Sequence, residues 1–126
     1  MNYAFLRMSP KRSILTAVLA VPLVLGGFAL PAAPVSADPV AYLVNVTVRP
    51  GYNFASADHA LAYGRGVCDK ITAGLPYGQL VRDIKNDFRT NDEYQASYLI
   101  SQAANELCPA QIWQLRNSAA GYTASP

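Results

Sequence analysis

Beyond an opening apolar run, the hydrophobic positions of this chain fall into stripes at helical spacing. In "SADHALAYGRGVCDKITAG", residues 56–74, Leu61, Gly64, Val67, Cys68 and Ile71 share one stripe. Ser56 suits the N-cap, Asp58 brings an anion to the positive end of the helix dipole, and Gly74 suits the position just past the last turn. "PYGQLVRDIKNDF" gives a second helix with Pro76 in its first turn. Tyr77, Leu80, Val81, Ile84 and Phe88 make its core face, and Arg82, Asp83, Lys85 and Asn86 turn to water.

A third helix opens at "TNDE", where Thr90 and Glu93 have the spacing of a capping box. Ala96, Ile100, Ala103 and Leu107 form its apolar row, with Ala104 and Cys108 beside it. Pro109 ends this helix and starts a short turn carrying Ile112, Trp113 and Leu115. The helical domain is expected to span 56–115, followed by a small, polar, flexible tail over 116–126.

Residues 38–55, "DPVAYLVNVTVRPGYNFA", read two ways. Val44, Val46, Thr47 and Val48 favour a strand by propensity, but no partner strand is evident. A short helix over 40–48, stopped by Pro50 and Gly51, is the alternative, and an irregular path is a third. Asn45-Val46-Thr47 matches a glycosylation sequon, a pattern too short to carry weight.

The N-terminus changes the picture. Arg7, Lys11 and Arg12 precede a charge-free run over 14–30, and "APVSADP" follows. Val35 and Ala37 are small residues at the −3 and −1 positions before Asp38, so residues 1–37 read as an export signal cleaved between Ala37 and Asp38. Pro22, Gly26 and Gly27 interrupt the apolar run, which argues against a lasting membrane span.

Export resets the charge. The whole chain carries ten Lys and Arg against eight Asp and Glu, for a net +2. Three of the bases lie in the leader, so removal leaves seven bases against eight acids, near −1. The basic balance belongs to the leader, and no nucleic-acid partner is expected.

The cysteine count then matters. Cys68 and Cys108 are the only two, and in an oxidising compartment they read as one disulfide. Each lies on an apolar stripe, so two helices must approach to bring their Cα atoms about 5.5–6 Å apart. Gly64 and Ala104, one turn before the respective cysteines, leave room for that approach. Closing a loop of about forty residues contributes roughly 4 kcal/mol, against about 1 kcal/mol for a glycine inside a helix. Gly66 falls on the far side and has no such reason.

These residues together resemble a known family. "AYGRGVCDKITAG", "QLVRDI" and "AANELCP" are similar to the secreted actinobacterial family called domain of unknown function 732, with matches at Val67-Cys68, Gly74, Val81, Ala103-Ala104 and Leu107-Cys108-Pro109. The resemblance covers about 40–115. It implies an all-α fold, a small bundle of about four short helices stapled by one disulfide, and a helix at its start. It implies no activity.

Candidate chemistry is sparse. A cysteine nucleophile would need a base, and the sole histidine, His59, lies on the opposite side of its helix from Cys68. Zinc spacings are absent. His59 and Tyr63, at i and i+4, share a face and form the candidate ligand face, either as a haem-type pair or as a packed, part-exposed pair. Asp83 and Asp87 also sit at i and i+4, as solvated charges beside Arg82 and Lys85 rather than an acid pair. Gly64-Arg65-Gly66 lacks the strand and third glycine of a phosphate-binding turn.

Tyrosine is abundant: Tyr42, Tyr52, Tyr63, Tyr77, Tyr94 and Tyr98 either fill a thin core or make a partner-facing patch. No catalytic residue, metal site or cofactor is expected. The expected role is a non-enzymatic exported binding domain of the cell envelope or extracellular space, its partner an envelope or host protein or a peptide. The alternative is a carrier of lipid or haem.

Overall fold

The structure is a computed structural model and describes residues 36–124. The expected leader, 1–37, therefore lies almost wholly outside the described residues, as do the last two residues of the expected tail. Five α-helices follow one another: α1 Pro39–Val48, α2 Ala57–Thr72, α3 Tyr77–Asp87, α4 Glu93–Gln102 and α5 Ile112–Ala119. A π-helical turn, Ala103–Leu107, and a 3-10 turn, Pro109–Gln111, join α4 to α5. The fold is an all-α bundle stapled by one disulfide.

The segment with two readings is a helix. Asp38 caps it, its side chain accepting from the Ala41 N–H at 2.9 Å, and Pro39 takes the first turn. Tyr42 and Val46, one turn apart, are buried, while Val40, Val44 and Val48 face out. Burial against α2, α4 and the π turn decides against the strand propensity of the valines.

α2 has the caps its sequence predicts. The Ser56 hydroxyl accepts from the His59 N–H at 3.1 Å. Gly74, at φ +82°, closes a Schellman turn in which the Leu75 N–H reaches the Lys70 carbonyl. α3 ends in the same motif, but its left-handed position is Arg89 at φ +50°.

The capping box at Thr90 does not form. The Thr90 N–H is already spent on the Lys85 carbonyl at 2.9 Å, so Glu93 has no exposed donor to return to. The cap is Asp92, whose carboxylate accepts from the Tyr94 and Gln95 N–H groups. Glu93 instead meets Lys85 at 3.3 Å.

α4 and the π turn form the centre, burying Ala96, Leu99, Ile100, Ala103 and Ala104 against α1, α2 and α3. The expected single helix to Cys108 is widened at its end, with the Cys108 N–H bonded five residues back to Ala103. Cys68 and Cys108 are joined, with Cα atoms 6.0 Å apart. Both sulfurs lie 3.6 Å from the Ala103 carbonyl oxygen, a contact without a proton because neither bridging sulfur carries one. Gly64 lies under the ring of Tyr42 and the end of Leu107, so the approach it permits is chiefly that of α1.

Residues 116–124 are also structured. α5 runs to Ala119. Ser118 accepts from the Tyr77 N–H at 2.7 Å and so caps α3, while Tyr122 packs edge-on against Tyr77 and donates to Glu93. Gln114 donates to the Ile71 carbonyl at 2.6 Å. Small polar residues there act as caps for other helices, which their own local pattern does not reveal.

Candidate functional site

The aromatic side chains gather at one place. Two left-handed residues prepare it: Asn53, at φ +47°, turns the α1–α2 loop just before Phe54, and Arg89 turns the chain just after Phe88. Phe54 then sits among four other rings. Its centroid is 5.5 Å from His59, 5.6 Å from Phe88, 5.7 Å from Tyr63 and 6.0 Å from Tyr52. The Phe88 and His59 rings stand nearly perpendicular to it, at 90° and 84°, an arrangement that ring quadrupoles favour.

Around these rings lies an open cleft of about 350 Å³, lined by Tyr52, Phe54, His59, Tyr63, Asp87 and Phe88. The helical spacing of His59 and Tyr63 does place both at one site. Tyr52 forms its floor; it is buried, and its hydroxyl donates to the Gln95 carbonyl at 2.7 Å. Burial, the main cause, pushes that phenol up to about 12.

At the rim the Tyr63 hydroxyl donates to Asp87 Oδ2 at 2.7 Å. Burial first, and then this bond to a carboxylate, holds the Tyr63 proton far above the ordinary phenol range. His59 Nδ1 accepts from the Ala55 N–H at 3.3 Å, which orients the imidazole and leaves Nε2 without a protein partner among the described residues. His59 and Tyr63 thus share one wall of the cleft, and Tyr63 orients the Asp87 carboxylate.

The other candidates separate. Asp83 bonds Lys70 at 2.9 Å while Asp87 bonds Tyr63, so each carboxylate has its own partner. Cys68 is consumed by the disulfide. Among the described residues no three His, Cys, Asp or Glu side chains gather to hold a metal ion. No described helix is long and apolar enough to cross a membrane.

Of the six tyrosines singled out, Tyr42 and Tyr52 are buried, Tyr63, Tyr77 and Tyr98 half-buried, and Tyr94 exposed. Packing takes most of them. Phe54 and Phe88 are the residues that sequence reasoning missed as site walls. Phe88 continues the α3 core stripe and Phe54 lies in a loop, so neither carries a periodic signal that sets it apart.

A family model described as "Protein of unknown function (DUF732)" matches residues 37–110, more than half of the chain. The match contains the whole cleft and both cysteines, and stops before α5. No curated protein and no solved structure matches the chain.

Proposed function

The chain belongs to the DUF732 family, whose description carries no activity, and we propose that it is a non-enzymatic binding domain that recognises a polypeptide partner through the aromatic cleft. The observation that carries this reading is the cleft itself. Five aromatic rings and one oriented carboxylate converge on an open surface, held by three separate elements. Aromatic side chains supply large contact area at low entropic cost, and they are enriched at the centres of protein interfaces.

The alternative, a lipid or haem carrier, calls for an enclosed apolar space. Tyr42, Leu99 and Ile100 are fully buried side chains packed in the interior of the bundle, and the cleft opens to solvent, which favours surface recognition. We place the protein outside the cytoplasm, in the envelope or the extracellular space. The disulfide, suited to oxidising compartments, and the leader-like pattern before Asp38 support this. The actinobacterial setting rests on the family resemblance alone.

Selection of a random peptide library on the purified, oxidised protein tests the reading. Enriched peptides should lose at least about tenfold in affinity on Phe54→Ala, with the helical circular dichroism unchanged. Binding that ignores Phe54→Ala and His59→Ala alike, or no enrichment at all, overturns it.

A further inference from the structure

Elsewhere on this surface, exposed aromatic rings are covered by the chain's own arginines. The Arg49 guanidinium carbon lies 4.5 Å from the centre of the Tyr94 ring and 4.6 Å from that of Tyr98, so one cation serves two rings. Arg116 lies 5.5 Å from the Trp113 ring. The densest aromatic cluster has no such cover. Among the described residues no lysine or arginine covers the rings of Phe54, Tyr63 or Phe88.

Among the described residues the carboxylate at its rim is also without a counterion. The described ion pairs join Lys70 to Asp83 and Lys85 to Glu93, and no basic side chain comes within 4.0 Å of Asp87. Asp87 is nevertheless fixed, because Tyr63 holds its Oδ2 atom and leaves Oδ1 without a partner among the described residues. The two halves of a cation site, ring faces and an anion, thus stand side by side, and among the described residues no lysine or arginine lies over the Phe54, Tyr63 and Phe88 rings or pairs with Asp87.

From this juxtaposition we infer that the cleft takes the side chain of an arginine presented by the partner polypeptide. The inference rests on the binding reading above and names the chemistry that the cleft selects. A guanidinium is flat, so it stacks on a ring while its N–H fork reaches the carboxylate edge-on. The near-perpendicular walls of Phe54 and Phe88 give it one face to lie on and one edge to abut. A lysine ammonium carries the same charge but is compact and strongly hydrated, and gains less from the rings. Citrulline keeps the planar shape and lacks the charge.

The test is a titration of the purified protein with blocked Gly-Arg-Gly, Gly-Lys-Gly and Gly-citrulline-Gly, followed by NMR at the ring resonances of Phe54, His59, Tyr63 and Phe88. The expected result is saturable shifts at these rings, in the order arginine, lysine, citrulline, with citrulline at least about tenfold weaker than arginine. Asp87→Asn keeps an acceptor for the Tyr63 hydroxyl, so the fold should persist. It should weaken the arginine peptide about tenfold and flatten its dependence on salt.

Equal binding of citrulline, or an unchanged affinity in Asp87→Asn, overturns the arginine assignment. If library peptides occupy the cleft without any arginine preference, this inference falls and the binding reading stands. If no peptide of any composition moves the cleft resonances, both fall.

Discussion

The ring of Tyr42 in α1 lies directly over Gly64 in α2, so close that a Cβ atom on residue 64 would stand 2.6 Å from Tyr42 Cζ and 2.7 Å from its hydroxyl oxygen. The same Cβ would meet Leu107 Cδ1 at 2.6 Å. The Leu107 methyl can turn away, but Tyr42 is fully buried and has no room to retreat. Gly64 is thus a seat for α1, and the first helix docks because the second lacks a side chain there.

Gly64→Ala and Gly66→Ala should therefore move stability in opposite directions. Both exchanges gain helix propensity, worth about 0.5–1 kcal/mol. At residue 66 nothing lies within 4 Å of an added Cβ, so the gain stands. At residue 64 overpacking costs about 1–3 kcal/mol and should outweigh it. Chemical denaturation of the two variants beside the parent checks the signs.

Tyr42→Phe should raise stability by about 1 kcal/mol. The Tyr42 hydroxyl is the buried side-chain polar atom without a hydrogen-bond partner among the described residues, and burial pushes its proton loss far beyond the ordinary range. An unmet buried hydroxyl costs about 1–3 kcal/mol, and phenylalanine removes it while keeping the ring that covers Gly64. A lower melting temperature in Tyr42→Phe would show that the hydroxyl has a partner in solution.

Much of this fold can be read from the chain, and the unreadable parts share a cause. The α2 caps at Ser56 and Gly74, the α3 core face and the Cys68–Cys108 bridge each depend on spacing within one helix or on a count of two. Thr90 and Glu93 mislead because the neighbouring helix had already engaged the Thr90 N–H, a fact of the α3 terminus. Ser118 and Tyr122 look like polar tail residues because the groups they serve, the Tyr77 N–H and Glu93, lie far away in sequence. The cleft is half legible: α-helical spacing puts His59 beside Tyr63, but only the packed chain brings Phe54, Asp87 and Phe88 to them.

Arg89→Gly should stabilise the protein by about 1 kcal/mol. Arg89 is held at φ +50°, where a side chain costs about 1–2 kcal/mol that glycine avoids, offset in part by the greater freedom of glycine in the unfolded chain. Its neighbour Phe88 forms a cleft wall, so the same variant should keep the ring resonances of the cleft in place. Thermal unfolding and a one-dimensional aromatic spectrum check both halves.

Breaking the bridge should cost far more. Cys68 and Cys108 stand 40 residues apart in sequence, and opening a loop of that size removes roughly 4 kcal/mol by the chain-entropy account. Small domains have about 5–15 kcal/mol in all. Reduced protein, with both thiols verified by alkylation, should melt at a markedly lower temperature; an unchanged melt would mean that α4 and its neighbours hold without the staple.

Alkali should unfold the protein cooperatively, and the tyrosines set the window. An ordinary phenol ionises near 10.0, the value expected of the unfolded chain. In the native state burial raises Tyr52 to about 12 and raises Tyr42 further, while burial and Asp87 raise Tyr63. Native phenols thus keep protons that unfolded ones release. Their contribution is fully present below pH 10 and declines as pH rises from there through about 12 for Tyr52, and beyond for the others. Each phenol held protonated removes about 1.4 kcal/mol per pH unit across that window. Tyr42 and Tyr52, both buried, together remove roughly 3 kcal/mol per unit until Tyr52 ionises near 12, a loss comparable to the lower end of the about 5–15 kcal/mol of a small domain. Tyrosinate absorbance of the buried phenols and helical circular dichroism should therefore change together in one step above pH 10. Smooth ionisation of every tyrosine near 10, with the helices intact, would show that Tyr42 and Tyr52 are open to solvent and that the interior is not packed as described.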